Sequence, residues 1–305
     1  MAMSSLSAPD QTDFARQRAA LANLWTRQTL FFVGGYPKSG TTWLQVLLNA
    51  HPEVSCIGEG HLPNHLLPLL RQATDQHDAL IAHKNATVLQ ELPGFPRFTD
   101  DQVSYLLATA ISLLLLVPAK AATAHAVGER TPDNYLHFPE LAALFPTARF
   151  IHIVRDGRDC ATSAWFHNER LGADEQAREF ASIEAFIEPL AEHWSTAVAE
   201  SLAWCEAQPA RCMVVRYEDL VDQPTEALRR LFGFLGVATT DDVIAHCQQM
   251  GAFETLSQGR KVGQEDRTSL FRRGLPGDWR NHFSARDNAK YLAIAGDLTA
   301  RLGYR

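Results

Sequence analysis

Three short runs along the chain, residues 30–33, 150–154 and 213–215, are rich in apolar, β-branched or aromatic side chains, with His152 the one polar residue among them. Runs of this length and composition predict strands. A polar turn and then a helix-like stretch follow each run, the alternation that builds βα units into a mostly parallel sheet. The pattern predicts an α/β chain, a three-layer fold whose mostly parallel central sheet is flanked by helices. Residues 79–117 and 131–144 read as mostly helical, with breaks at Pro93, Pro96 and Pro118. Residues 224–235 read as an amphipathic helix with Leu228, Leu231, Phe232 and Leu235 on its apolar face. Residues 251–277 are rich in Gly, Gln, Arg and Ser and predict a long surface segment, functional or mobile.

Composition narrows the class. Apolar residues make up 46% of the 305 and charged residues 21%, as in a globular enzyme with a sizeable core. Residues 21–305 are expected to form one large domain, preceded by a flexible leader over residues 1–20 whose first ten are Ser- and Ala-rich without the order of a signal peptide. The net charge of −7 argues against nucleic acid as a partner, so any anion site must be local. The apolar stretch 103–117 is shorter than the ~20 residues a bilayer demands, and predicts a buried helix rather than a membrane span. Five cysteines without a Cys-x-x-Cys pair predict reduced thiols and a cytoplasmic location.

In parallel sheets ligands sit beyond the carboxyl ends of strands. After the first run the sequence is Gly34-Gly35-Tyr36-Pro37-Lys38-Ser39-Gly40-Thr41-Thr42-Trp43, a Gly-, Ser- and Thr-rich turn opening an apolar-periodic helix. Backbone N–H groups at such a helix start attract an anion, and Lys38 adds a full charge. A nucleotide kinase loop would carry its Lys directly after the second Gly, where Thr41 stands here. The turn resembles the 5′-phosphosulfate loop of sulfotransferases that use 3′-phosphoadenosine-5′-phosphosulfate (PAPS) and release 3′-phosphoadenosine-5′-phosphate (PAP). The resemblance implies a P-loop-like fold in which Lys38, Ser39, Gly40, Thr41, Thr42 and Trp43 hold the 5′ end, with Trp43 near the adenine.

Further motifs follow in the family's order. Arg155 ends the second run and Ser163 lies eight residues on, the family's spacing for a 3′-phosphate site. Arg272-Arg273-Gly274, followed by Gly277-Asp278-Trp279, resembles the segment that closes over the nucleotide, with Arg-Arg in place of the usual Arg-Lys. Arg158 and Asp159 read as structural charges. Tyr217 and Phe253 match weaker motifs, Tyr217 toward the base and Phe253 opposite Trp43, with core packing as the competing reading of both.

The base departs from the cytosolic pattern. Where that branch of the family places its catalytic His, this chain has Pro132, and Arg130 takes the place of a Lys that contacts the sulfuryl group. Residues 50–61 instead resemble tyrosylprotein and other Golgi-type sulfotransferases, whose base is a Glu, which makes Glu59 the first choice, His61 the second and Asp133 a distant third. Glu59 pairing with Arg130 for structure alone is the competing reading. No metal is expected in the chemistry. The resemblance favours a small-molecule acceptor, with peptide tyrosine or a saccharide open, and residues 103–117 with Leu66, Leu67, Leu69 and Leu70 as a candidate acceptor lining. Two other functions stay in play, a P-loop small-molecule kinase and a catalytically inactive phosphoadenosine-binding protein. Oligomeric state is not legible.

Overall fold

A computed structural model describes residues 11–88, 94–171, 180 and 182–305. Five parallel strands form one sheet in the order β2-β3-β1-β4-β5, where β1 is Thr29–Gly34, β2 Val54–Gly58, β3 Ala126–Arg130, β4 Arg149–Val154 and β5 Cys212–Arg216. The three apolar runs are β1, β4 and β5. Side chains alternate across β1 because the pleat has period two. Leu30 and Phe32 enter one core cluster, and Phe31 and Val33 enter the cluster on the opposite face. That double burial explains the continuous apolarity of residues 30–33.

β2 and β3 escaped the sequence pattern because Ser55, Gly128, Glu129 and Arg130 interrupt it. Gly128 is required by packing, since a Cβ there would collide with the carbonyl oxygen and ring of Phe31. The strands are in register at their carboxyl ends. Arg130 pairs with both Val33 and Gly58, Val33 with Ile151, and Val154 with Arg216. The loops that follow all five strands therefore open on one edge, with β1 at the centre, where chain connections diverge to the two sides.

Helices cover both faces. α1 (Gln11–Arg27) includes residues 11–20, which the leader was expected to contain, and it anchors on the sheet through buried Leu24. α2 (Thr41–Ala50) follows β1 directly, and α3 (Leu67–Thr87) and α4 (Asp100–Leu115) fill the β2–β3 connection. α4 starts at a capping box of Thr99 and Gln102. It is half buried, with Leu107, Ile111 and Leu115 inward and Tyr105, Leu106, Leu113 and Leu114 outward. Pro96 lies in the coil before it, and Pro93 lies outside the described residues. Residues 131–144 split into a 3-10 turn and the short α5 (Phe138–Leu144). α6 (Gly157–Leu171) and the long α7 (Ile183–Ala207) link β4 to β5. α8 (Tyr217–Asp222), α9 (Pro224–Leu235), α10 (Asp241–Gly251), the one-turn α11 (Phe253–Leu256) and α12 (Ala285–Arg301) complete the chain. α9 buries the four residues its periodicity singled out.

Among the described residues no helix is long and apolar enough to cross a membrane. Cys205 and Cys212 form a disulfide between the end of α7 and β5, while Cys56, Cys160 and Cys247 are free and buried. The expectation of five reduced thiols is corrected for this pair, and with it goes the cysteine-based ground for a reducing compartment.

Candidate active site

The turn between β1 and α2 reverses through two left-handed residues, Lys38 at φ 71° and Gly40 at φ 98°. A Cβ at Gly40 would lie 2.7 Å from the Tyr217 ring, so both conformation and space demand glycine there. No side chain caps α2 at Gly40, which leaves its first-turn N–H groups for an external acceptor. A cavity of about 830 Å³ opens at this point. Lys38, Gly40, Thr41, Thr42 and Trp43 line it, while Ser39 lies buried beneath, its hydroxyl 3.6 Å from the Cys160 thiol.

Arg155 and Ser163 line the same cavity. Arg155 donates from Nη1 to the Lys38 carbonyl at 3.1 Å and lies over the Tyr217 ring, 4.3 Å from its centroid. Tyr217 in turn meets Trp43 edge-on at 5.2 Å, and Trp43 donates from Nε1 to the Gly251 carbonyl at 2.8 Å. Phe253 follows two residues later and also faces the cavity. Gly274, at φ 72°, runs against the Phe253 ring so closely that any side chain would collide with it.

Arg272, Arg273 and Gly274 close the wall. Both guanidinium groups donate to the buried carboxylate of Asp278. Burial pushes the Asp278 carboxyl up, but Arg272, Asn281 and Arg273 outweigh it and hold the group below the usual range. Arg158 is structural, forked onto Asp156, and Asp159 accepts from the Gly277 and Trp279 N–H groups at 2.6 and 3.0 Å. That bond ties the closing segment to the helix carrying Ser163.

Glu59 faces the cavity from the turn after β2, at φ 42°. Its N–H donates to the Arg130 carbonyl at 2.7 Å, and its carboxylate accepts from Arg130 Nη1. Arg130 is buried and gives Nε and Nη2 to Gln45 Oε1. It is not among the residues lining the cavity, and the group it holds there is Glu59. His61 also lies off the cavity, with an exposed ring and its N–H on Thr131 Oγ1 at 3.2 Å. Asp133 accepts from Asn64. Beneath the turn, Glu129 accepts from Thr131, Asn134 and Gly60, and burial raises its pKa against those bonds.

Sequence reading gave Tyr36 no role within the turn and missed His167 and His193, all of which line the cavity. The Tyr36 hydroxyl is 3.1 Å from His193 Nδ1. His167 stands one helical turn after Ser163, the signal that would have found it. Burial, Lys38 and Arg170 push its pKa down to about 4 against Glu59. Lys38 is drawn from 10.5 down to about 8, chiefly by burial and then by Arg170, with Glu59 opposing. The apolar wall comes from Phe186, Pro189 and Leu190 of α7 and from Leu270 and Leu275, not from residues 66–70 or 103–117, whose inward side chains are spent in the core. Among the described residues no group of His, Cys, Asp or Glu is arranged to hold a metal.

A model of the sulfotransferase family matches residues 31–242. Protein-tyrosine sulfotransferase 2 of Gallus gallus is 27% identical over 278 residues, covering 90% of this chain and 69% of that protein. Protein-tyrosine sulfotransferase 1 of Danio rerio is 26% identical over 276 residues, covering 90% of this chain and 72% of that protein. Among solved structures, mouse sulfotransferase SULT7A1 complexed with PAP matches with a TM-score of 0.56 at 19% identity, over 97% of this chain and 93% of that one.

Proposed function

The chain belongs to the sulfotransferase family, and from that premise we propose that it transfers the sulfuryl group of PAPS to the phenolic hydroxyl of a tyrosine in a peptide or protein. The observation that carries the reading is Glu59, fixed by Arg130 in the cavity that also holds Lys38, in a chain related over nine-tenths of its length to protein-tyrosine sulfotransferases. The small-molecule acceptor that the resemblance first favoured has no comparable support.

The residues fit the donor. Arg155 Nε and Arg273 Nε are buried without a hydrogen-bond partner, an arrangement that a dianionic 3′-phosphate would relieve. Ser163 adds a hydroxyl on the same wall, and the uncapped start of α2 with Lys38 suits the 5′ end. The Trp43 and Tyr217 rings and the Phe253 ring give aromatic surface for an adenine. Bound PAPS supplies a sulfuryl group joined to a phosphate leaving group. Lys38 and the α2 amides stabilise charge on the leaving oxygen, and Glu59 takes the phenolic proton as the acceptor oxygen attacks in line.

The test pairs mass spectrometry of tyrosine peptides and of simple phenols incubated with PAPS with calorimetry of PAP against magnesium ATP. Peptide sulfation with tight PAP binding is expected. Sulfated phenols with untouched peptides would return the acceptor to the small molecules, and preference for ATP would revive the kinase.

A further inference from the structure

The cavity-facing stripe of α6 is Ser163, Ala164, His167 and Asn168, so the helix that offers Ser163 also presents His167 one turn on. His167 shares the cavity with Lys38 and Glu59 and feels the charge of both, the two groups that the proposed function places on either side of the reaction. Its ring is not free to choose a tautomer. Arg170 Nη2 lies 2.9 Å from His167 Nδ1, and a guanidinium can only donate, so Nδ1 accepts and the ring proton sits on Nε2. An imidazole locked this way has no lone pair left for a substrate proton. What it can offer the cavity is one N–H donor.

We propose that His167 donates a hydrogen bond through Nε2–H to the sulfuryl group in transit, beside Lys38, with Arg170 as the positioning residue that sets the tautomer. The inference rests on the sulfuryl-transfer reading above. The proton balance is unchanged by it: the acceptor oxygen bonds to sulfur, the sulfur bond to the phosphate oxygen breaks, and the phenolic proton goes to Glu59. His167 gains and loses no proton. Its depressed pKa keeps it neutral through the working range, so its donation does not vary as Lys38 titrates. Lys38 and Arg170, both cationic, and Glu59 are the charged groups that bear on it.

The experiment compares wild type with His167→Leu, His167→Gln and Arg170→Met. Two rates are read, turnover of a tyrosine peptide and the slower release of sulfate from PAPS to water, together with PAP affinity by calorimetry. For His167→Leu both rates should fall on the order of a hundredfold while the PAP Kd stays within about twofold, and His167→Gln, which keeps an N–H donor, should recover most of the loss. Nitrogen-15 spectra of histidine-labelled protein should show the Nε2–H tautomer at His167 in wild type and lose it in Arg170→Met. Undiminished rates in His167→Leu, a parallel collapse of PAP binding, or an Nδ1–H tautomer in wild type would overturn the assignment. Absence of peptide turnover in wild type would sink the tyrosine reading alone, because sulfate release and the spectra still judge His167.

Discussion

The buried guanidinium of Arg130 holds the carboxylate of Glu59 at the ends of two paired strands, with Gln45 taking the guanidinium's remaining bonds. The left-handed turn at Glu59 and its N–H bond to the Arg130 carbonyl fix the backbone, and the ion pair fixes the side chain. Glu59→Gln keeps the shape and removes the proposed base. Turnover should fall by about a hundredfold to ten-thousandfold, with PAP binding intact in calorimetry. Equal losses in both would assign Glu59 to structure.

Arg155 follows β4 directly, its guanidinium over the Tyr217 ring and donating to the Lys38 carbonyl, and the proposed function makes it the anchor of the 3′-phosphate. Arg155→Ala should weaken PAP by about 2–5 kcal/mol, and Arg155→Lys should recover only part because a single ammonium cannot fork onto a phosphate. Titration calorimetry separates the two.

Lys38 gives a pH signature whose sign is fixed. Its folded pKa of about 8 lies below the ordinary 10.5, so between those values the unfolded chain holds the extra proton and stability rises with pH. Below about 8 both states are charged and the contribution is flat. Nucleotide-free protein should therefore gain stability from this group across that window, and Lys38→Met should remove the gain in thermal melts. Anion binding favours the ammonium, so PAP should bind with proton uptake at pH near 9, seen in buffers of different ionisation heat.

Asp159 links two walls of the cavity by accepting the Gly277 and Trp279 N–H groups. Asp159→Ala strands those donors, and denaturant unfolding should show a loss of about 1–3 kcal/mol. PAP affinity should drop as well, since Arg272 and Arg273 ride on that segment. Asp159→Asn should do less damage to both.

The α/β class and the phosphate turn were legible along the chain, and the family resemblance singled out Arg155, Ser163 and Arg272–Arg273–Gly274, which line one cavity with that turn. The first two features are local. An apolar run, a left-handed turn and a helix start lie within a dozen residues of one another, and their chemistry depends on neighbours along the chain. Tertiary structure decided the rest. β2 and β3 were illegible because their polar residues are satisfied in part by partners distant in sequence, such as Gly60 for Glu129 and Gln45 for Arg130. Glu59 faces the cavity and His61 does not, a difference set by where each residue of one turn points once β2 pairs with β3, and two residues' separation along the chain carries no such direction. The apolar wall of the cavity comes from α7 rather than from the more apolar residues 103–117, because an amphipathic pattern tells that a face is covered but not by what. His167 was silent for the same reason. A histidine on a helix becomes a donor to a reacting group only when the cavity, Arg170 and Lys38 surround it, and that convergence arises in the folded chain.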